Sequence, residues 1–228
     1  MKSLFLFFIS LISLASFAQQ ANYAQWKEEA KSEINLVPEY GNATKTKEQI
    51  ALDDDFIKVC LKEDGTYQKA SEHMVKLGFK YLYQGDIKTA MRRFNQAWLL
   101  DHKNENAYWG FGAVYFTFSD YPEALKQLDI GLVINPNSSN ILTDKATIYN
   151  GYFISKHDIS DLNKAIALFN QSYKIDSGNQ NTLFKMSVAY FYKQDCANAM
   201  RYYDECMKLG GHPIPQGYAD ALKKQCGK

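Results

Sequence analysis

Residues 81–97 read YLYQGDIKTAMRRFNQA, and residues 190–206 read YFYKQDCANAMRYYDEC. Both begin with Tyr, carry Asp five residues on, and continue through Ala-Met-Arg to an aromatic. Aligning the chain on these anchors reveals two further copies. Tyr81, Tyr115, Tyr149 and Tyr190 lie 34, 34 and 41 residues apart, and Ala90, Ala124, Ala165 and Ala199 lie 34, 41 and 34 apart. The chain therefore holds four units, one of them with seven extra residues between Tyr149 and Ala165, within the stretch GYFISKHDIS. Asp86, Asp120, Asp161 and Asp195 each stand four residues before the Ala. A period of this length marks an array of small helical or mixed units.

Local chemistry makes each unit a pair of helices. An Asp can accept a hydrogen bond from an orphan amide of a helix that follows it, and its charge suits the positive end of the dipole. Only Asp120 has a Glu, Glu123, at capping-box spacing. The Ala four residues later is small enough for a neighbouring helix to approach, and Phe94, Leu128, Phe169 and Tyr203, four further on, share its face. Upstream of each Asp, apolar residues recur at helical spacing, as in Met74, Leu77, Gly78 and Tyr81, or Tyr108, Phe111, Gly112 and Tyr115.

These anchors resemble the tetratricopeptide repeat. Leu77-Gly78, Tyr81, Ala90, Phe94 and Ala97 match its pattern in the first unit, and Gly112, Tyr115, Ala124 and Pro136 in the second. The pattern departs at Lys145, Ser187, His102, Ser177 and Gly211. The resemblance implies an all-α fold, a right-handed α-solenoid of helix-turn-helix units over 71–104, 105–138, 139–179 and 180–211. In such proteins the first helices build a concave face. Mapped onto this chain, its positions hold Phe79, Leu82 and Tyr83, then Trp109 and Phe116, then Phe184, Phe191 and Tyr192. The implied groove is aromatic. The Lys and Asn with which chaperone-type members grip a C-terminal carboxylate are replaced by Val75 and Phe79, and the basic residues of the third unit by Asn140 and Asp144, so no carboxylate clamp is implied.

Beyond the repeats, residues 212–228 read as a capping helix starting near Pro215, with Tyr218, Ala221 and Leu222 on one stripe; a solenoid needs such an end to cover its last apolar face. Cys196 lies 16 residues before His212 and Cys226 14 after it. Two antiparallel helices around that turn bring the pair level, which predicts a Cys196–Cys226 disulfide. Cys206 reads as a buried thiol, and Cys60 has no assigned role. Residues 19–70 form an N-terminal helical region, with helices expected over 23–34 and 56–62 and a polar link over 37–52. The insertion in the third unit is either one turn added to each helix or a longer surface loop.

Residues 1–18 carry Lys2, an apolar run over 4–14 and the small-x-small sequence SFA, the marks of a cleavable export signal. The run is too short for a membrane span of roughly 20 residues. The FAQQ end is similar to exported proteins of Bacteroidetes-type bacteria and carries no lipobox cysteine. Export places the mature chain in the periplasm or outside the cell, where disulfides form.

Cleavage after Ala18 removes one base and no acid, leaving 25 of each sign. Such interspersed, balanced charge argues against nucleic acid and against an anionic membrane surface. His73, His102, His157 and His212 share no metal-ligand spacing, the cysteines form no CxxC pair, and there is no phosphate loop or nucleophile elbow. No catalytic residue, metal or cofactor is expected. Two functions remain: a non-enzymatic adaptor that holds a protein or peptide segment in its aromatic groove, or a structural, homo-oligomerising subunit whose groove is covered by its own N-terminal region or a second copy.

Overall fold

The computed structural model describes residues 23–227; the expected export signal lies outside them. The described residues fall into two compact units, 23–127 and 128–227, which divide within helix α6 (Tyr121–Ile134). The first unit contains a helical stretch over 23–29 (α1), two 3-10 turns (Ile34–Leu36 and Pro38–Asn42), α2 (Lys47–Asp64), α3 (Tyr67–Tyr83), α4 (Ile87–Leu100), α5 (Glu105–Thr117) and the start of α6. The second contains the rest of α6, then α7 (Ser139–Lys156), α8 (Ile159–Ile175), α9 (Gln180–Tyr192), α10 (Cys196–Lys208) and α11 (Gln216–Cys226). Successive helices pair as hairpins, and no strand occurs among the described residues.

The Tyr-to-Asp interval that recurs in the sequence is a hydrogen bond. The main-chain N–H of Asp86 donates to the Tyr81 carbonyl at 3.0 Å, that of Asp120 to Tyr115 at 3.1 Å and that of Asp195 to Tyr190 at 3.0 Å. In each turn the preceding residue (Gly85, Ser119 or Gln194) is left-handed and donates to the carbonyl three residues back. This paired arrangement satisfies the orphan carbonyls at a helix end. Only Gly85 adopts it without a Cβ penalty. The same Asp then opens the next helix: Asp86, Asp120 and Asp195 accept from the amides of Thr89, Glu123 and Asn198, each at 3.1 Å. One residue thus closes the first helix and starts the second.

Asp86→Ala should cost about 1 kcal/mol of stability. Bonds from Thr89 hold the Asp86 carboxyl below the usual carboxylate range. Because the folded value is the depressed one, the cap contributes fully above the unfolded value of about 3.9 and is lost as pH falls through the folded one. Urea melts of wild type and Asp86→Ala should differ at pH 7, and the difference should shrink as pH falls below the unfolded value.

The third unit departs from this plan. Its helix starts three residues early, with Asp158 as the cap, accepting from Ser160 at 2.9 Å, while Asp161 lies buried in the first turn. The expectation that Asp161 caps the helix is corrected. The insertion is helical: α7 has 18 residues and α8 has 17, against 13 and 14 in α5 and α6. About one turn is added to each helix, which moves the cap upstream and leaves Asp161 on its expected face.

Ala90, Ala124, Ala165 and Ala199 are all fully buried, as are Phe94 and Phe169. The Phe94 ring occupies the space where Gly78 of α3 and Gly110 of α5 lack a side chain; a Cβ at either would fall inside 3.0 Å of the ring. Gly110 is not among the sequence anchors. Two departures from the repeat pattern also acquire reasons. Lys145 pairs with Asp129, and the buried Ser187 hydroxyl donates to the Ala199 carbonyl at 2.7 Å and bonds the Tyr218 hydroxyl of α11 at 2.6 Å.

The N-terminal region differs most from expectation. The first helix stops at residue 29 rather than 34, and α2 begins at Lys47, inside the expected polar link. The start of α2 is a full capping box: Gln49 N–H donates to Thr46 Oγ1 at 3.3 Å, and Thr46 N–H to Gln49 Oε1 at 2.9 Å. The signal, Thr-x-x-Gln, is present in the sequence, but the apolar Ile50-Ala51-Leu52 after it gives way at once to Asp53-Asp54-Asp55. Between these helices the chain runs along α4. Glu29 pairs with Lys88 and Glu33 with Arg92. The fully buried Asn95 donates from Nδ2 to the carbonyls of Asn35 (3.0 Å) and Val37 (2.9 Å) and accepts from the Tyr40 amide (3.2 Å). Glu39, Tyr40, Gly41 and Asn42 are all left-handed. Tyr40, buried between Trp98 and Lys45, anchors that turn.

Candidate protein-binding faces

In the first unit, five of the groove residues lie on α3 and α5. Phe79 and Trp109, from neighbouring hairpins, pack together with ring centroids 4.2 Å apart and planes tilted by 47°. Behind them Phe79 meets the buried Phe94 at 5.1 Å, so the pair is backed by the core. In front, Tyr83 packs on Phe79 at 6.1 Å and remains 80% exposed. Phe116, two turns along α5 from Trp109, packs on Tyr121 at 5.6 Å and is 38% exposed. Leu82 is half-buried. The structure thus joins Phe79, Tyr83 and Trp109 in one cluster and sets Phe116 against Tyr121. Because Phe79 and Trp109 are held on helices by core contacts, their rings are pre-positioned, and a ligand would lose little entropy in ordering them.

In the second unit the aromatic residues are distributed differently. Tyr218 of α11 lies edge-on to both Phe184 (5.5 Å) and Phe191 (5.8 Å), with its hydroxyl on Ser187. Burial pushes the Tyr218 phenol up to about 12, so the group stays a neutral hydrogen-bonding partner. Tyr192 is 40% exposed and packs on Phe153 at 6.0 Å. The cover over Phe184 and Phe191 comes from the expected capping helix, which therefore takes two of the residues mapped to the groove. Residues 23–42, by contrast, lie along α4 and the α5–α6 turn, where Tyr23 stacks on Phe118 at 4.7 Å and donates to Asp120. α2 packs on α3 around Met74 and Val75, so position Val75 is covered.

Cys196 and Cys226 are joined in a disulfide, with Cα atoms 5.2 Å apart. Cys206 is a buried free thiol, pushed up by burial, whose Sγ–H points at the Gln180 carbonyl. Cys60 is likewise free and buried, against Ala70 and Met74. Among the described residues no group of three His, Cys, Asp or Glu could hold a metal ion, and no helix is long and apolar enough to cross a membrane.

No protein-family model matches the sequence, and no curated protein matches it. Solved structures do. The chain is similar to TTC0263, a thermophilic TPR protein of Thermus thermophilus, at TM-score 0.55 and 12% identity over 62% of this chain and 75% of that one. It is also similar to the APC/C hetero-tetramer Cut9–Hcn1, at TM-score 0.54 and 18% identity over 70% of this chain, which spans only 31% of that chain. At such identities the likeness is one of fold, and it coincides with the repeat length, the hairpin pairing and the buried Ala positions described above. The fold of this chain is that of the tetratricopeptide-repeat proteins.

Proposed function

We propose that the protein is an exported, non-enzymatic interaction module that holds a segment of a protein partner against the aromatic face of its first unit. The observation that carries the reading is the Phe79–Trp109 ring pair on two successive hairpins, with Tyr83 beside it and Phe116 two turns along α5, both partly in solvent. Aromatic side chains held rigidly on helices give large contact area at small entropic cost and dominate binding energy where they occur. A formal net charge of +1 over the whole chain offers no field for nucleic acid or an anionic surface, which favours a protein or peptide partner.

Tyr83 gives the cleanest test. At 80% exposure its removal should change stability by no more than about 0.5 kcal/mol. Peptides selected on the wild-type protein from a displayed library should then bind Tyr83→Ala roughly tenfold or more weakly, as expected of an anchor residue. Unchanged affinity for Tyr83→Ala, Phe116→Ala and the double variant would reject this face as the site. Trp109→Ala is the poorer test, because Trp109 also packs on Phe79 and its loss mixes binding with folding. The competing homo-oligomer reading is decided by the mass of the mature protein in solution: a stable dimer or higher species whose formation the Tyr83→Ala change abolishes would favour it.

A further inference from the structure

We propose that α11 is a lid on a second, helix-binding face, and that the Cys196–Cys226 disulfide is the latch that keeps it shut. The face is formed by Phe184, Ser187 and Phe191 of α9 with Ala199 and Tyr203 of α10. Its present occupant shows what it accepts: an amphipathic helix offering Tyr218 between the two Phe rings, Ala219 against the small positions, and a fully buried Leu222 one turn on.

The non-covalent hold of α11 is slight. The helix has 11 residues, shorter than isolated helices need for stability in water, and only Ala219 and Leu222 are buried. Most of its other positions face solvent. It is reached through a link containing two left-handed glycines, Gly210 and Gly211, and the two prolines Pro213 and Pro215, none of which propagates helix from α10. The disulfide closes this arrangement at the far ends, joining the first residue of α10 to the last of α11. Both cysteines are half-buried rather than sealed in the core, which leaves them open to thiol exchange.

Opening requires a dithiol reductant. Its thiolate attacks one sulfur of the bridge, the Sγ–Sγ bond breaks, and its second thiol resolves the mixed disulfide. Two electrons and two protons pass to Cys196 and Cys226, which leave as thiols, while the reductant becomes its own disulfide. α11 is then tethered by the glycine–proline link alone and competes with any amphipathic helix that presents Tyr, Ala and Leu at i, i+1 and i+4. Oxidation restores the lid. The identity of what enters rests on the interaction reading above; the opening itself does not and is measured without a partner.

Hydrogen exchange on the full mature chain tests the latch. With excess dithiothreitol, and separately in Cys226→Ser, the amides of residues 218–226 should exchange about tenfold or more faster, while those of α7 to α10 keep their protection. A synthetic peptide of residues 214–227 carrying Cys226→Ser should bind the reduced chain saturably and the oxidised chain not at all. If α11 keeps its protection without the bridge, the bridge is no latch. If α7 to α10 lose protection together with α11, the bridge is a staple of the whole unit, and the proposal falls equally. If α11 opens but the peptide binds neither form, the lid stands and the helix-binding face is refuted.

Discussion

Phe94→Ala should destabilise the first unit by about 3–5 kcal/mol, the cost of emptying a fully buried aromatic site whose walls cannot collapse. The ring is at 0% exposure, lies edge-on to Phe79 and Phe111, and fills the gaps left by Gly78 and Gly110. Those walls are helix backbone, which does not move to fill a void as a side chain does. The converse changes should hurt for the opposite reason. Gly110→Ala and Gly78→Ala push a methyl into the ring and should each cost roughly 1–3 kcal/mol. Residues that share one space are coupled, so Phe94→Leu combined with Gly110→Ala should be less damaging than the two changes added together. Tryptophan fluorescence during urea unfolding reads this directly, because Trp26, Trp98 and Trp109 all belong to the first unit. Simple additivity of the pair would show that ring and glycine do not share a cavity.

Asn95→Ala should cost about 3 kcal/mol or more, since it strands three main-chain groups at roughly 1–3 kcal/mol for each that stays buried. The cost is relieved only if residues 35–42 leave α4, which also lets the left-handed run at 39–42 relax; each left-handed residue other than glycine there is held against a penalty of roughly 1–2 kcal/mol. The expected signature is therefore double: an earlier melt and much faster amide exchange over 35–43, with α3 to α5 still protected. Wild-type protection of that segment in Asn95→Ala would mean that the ion pairs Glu29–Lys88 and Glu33–Arg92, together with the Tyr40 ring, suffice to hold it.

The repeat is open to sequence reading because its anchors do local work that tolerates few residue types. An Asp both ends one helix and caps the next, and an Ala sits where two helices touch, so each recurs in register. What sequence does not reveal is held by main chain or by absence. Asn95 looks like any polar residue of an exposed helix face, because its partners are carbonyls and an amide of a segment whose side chains take no part in the bonds. Gly110 is important for lacking an atom, and nothing in its neighbours announces the Phe94 ring from another helix. Asp158 and Asp161 stand three residues apart and both suit a helix start; only the lengths of α7 and α8 separate them. The aromatic positions mapped from the repeat pattern are legible as a set, but spacing along one helix carries no information about α11, so the different surroundings of Tyr83 and Phe191 cannot be read from it.

The double duty of the turn Asp also limits how such a chain changes length over evolutionary time. A single residue gained inside a hairpin turns everything beyond it by about 100°, carrying the next Ala off its contact and the turn Asp off its carbonyl. Seven residues, divided as about one turn for each of the two helices, leave each face only about 40–60° from where it was. The units of 34 and 41 residues are thus neighbouring members of a discrete series. Relatives of this chain should carry hairpins that differ in whole helical turns, with intermediate lengths confined to the links between hairpins, where no facing has to be kept.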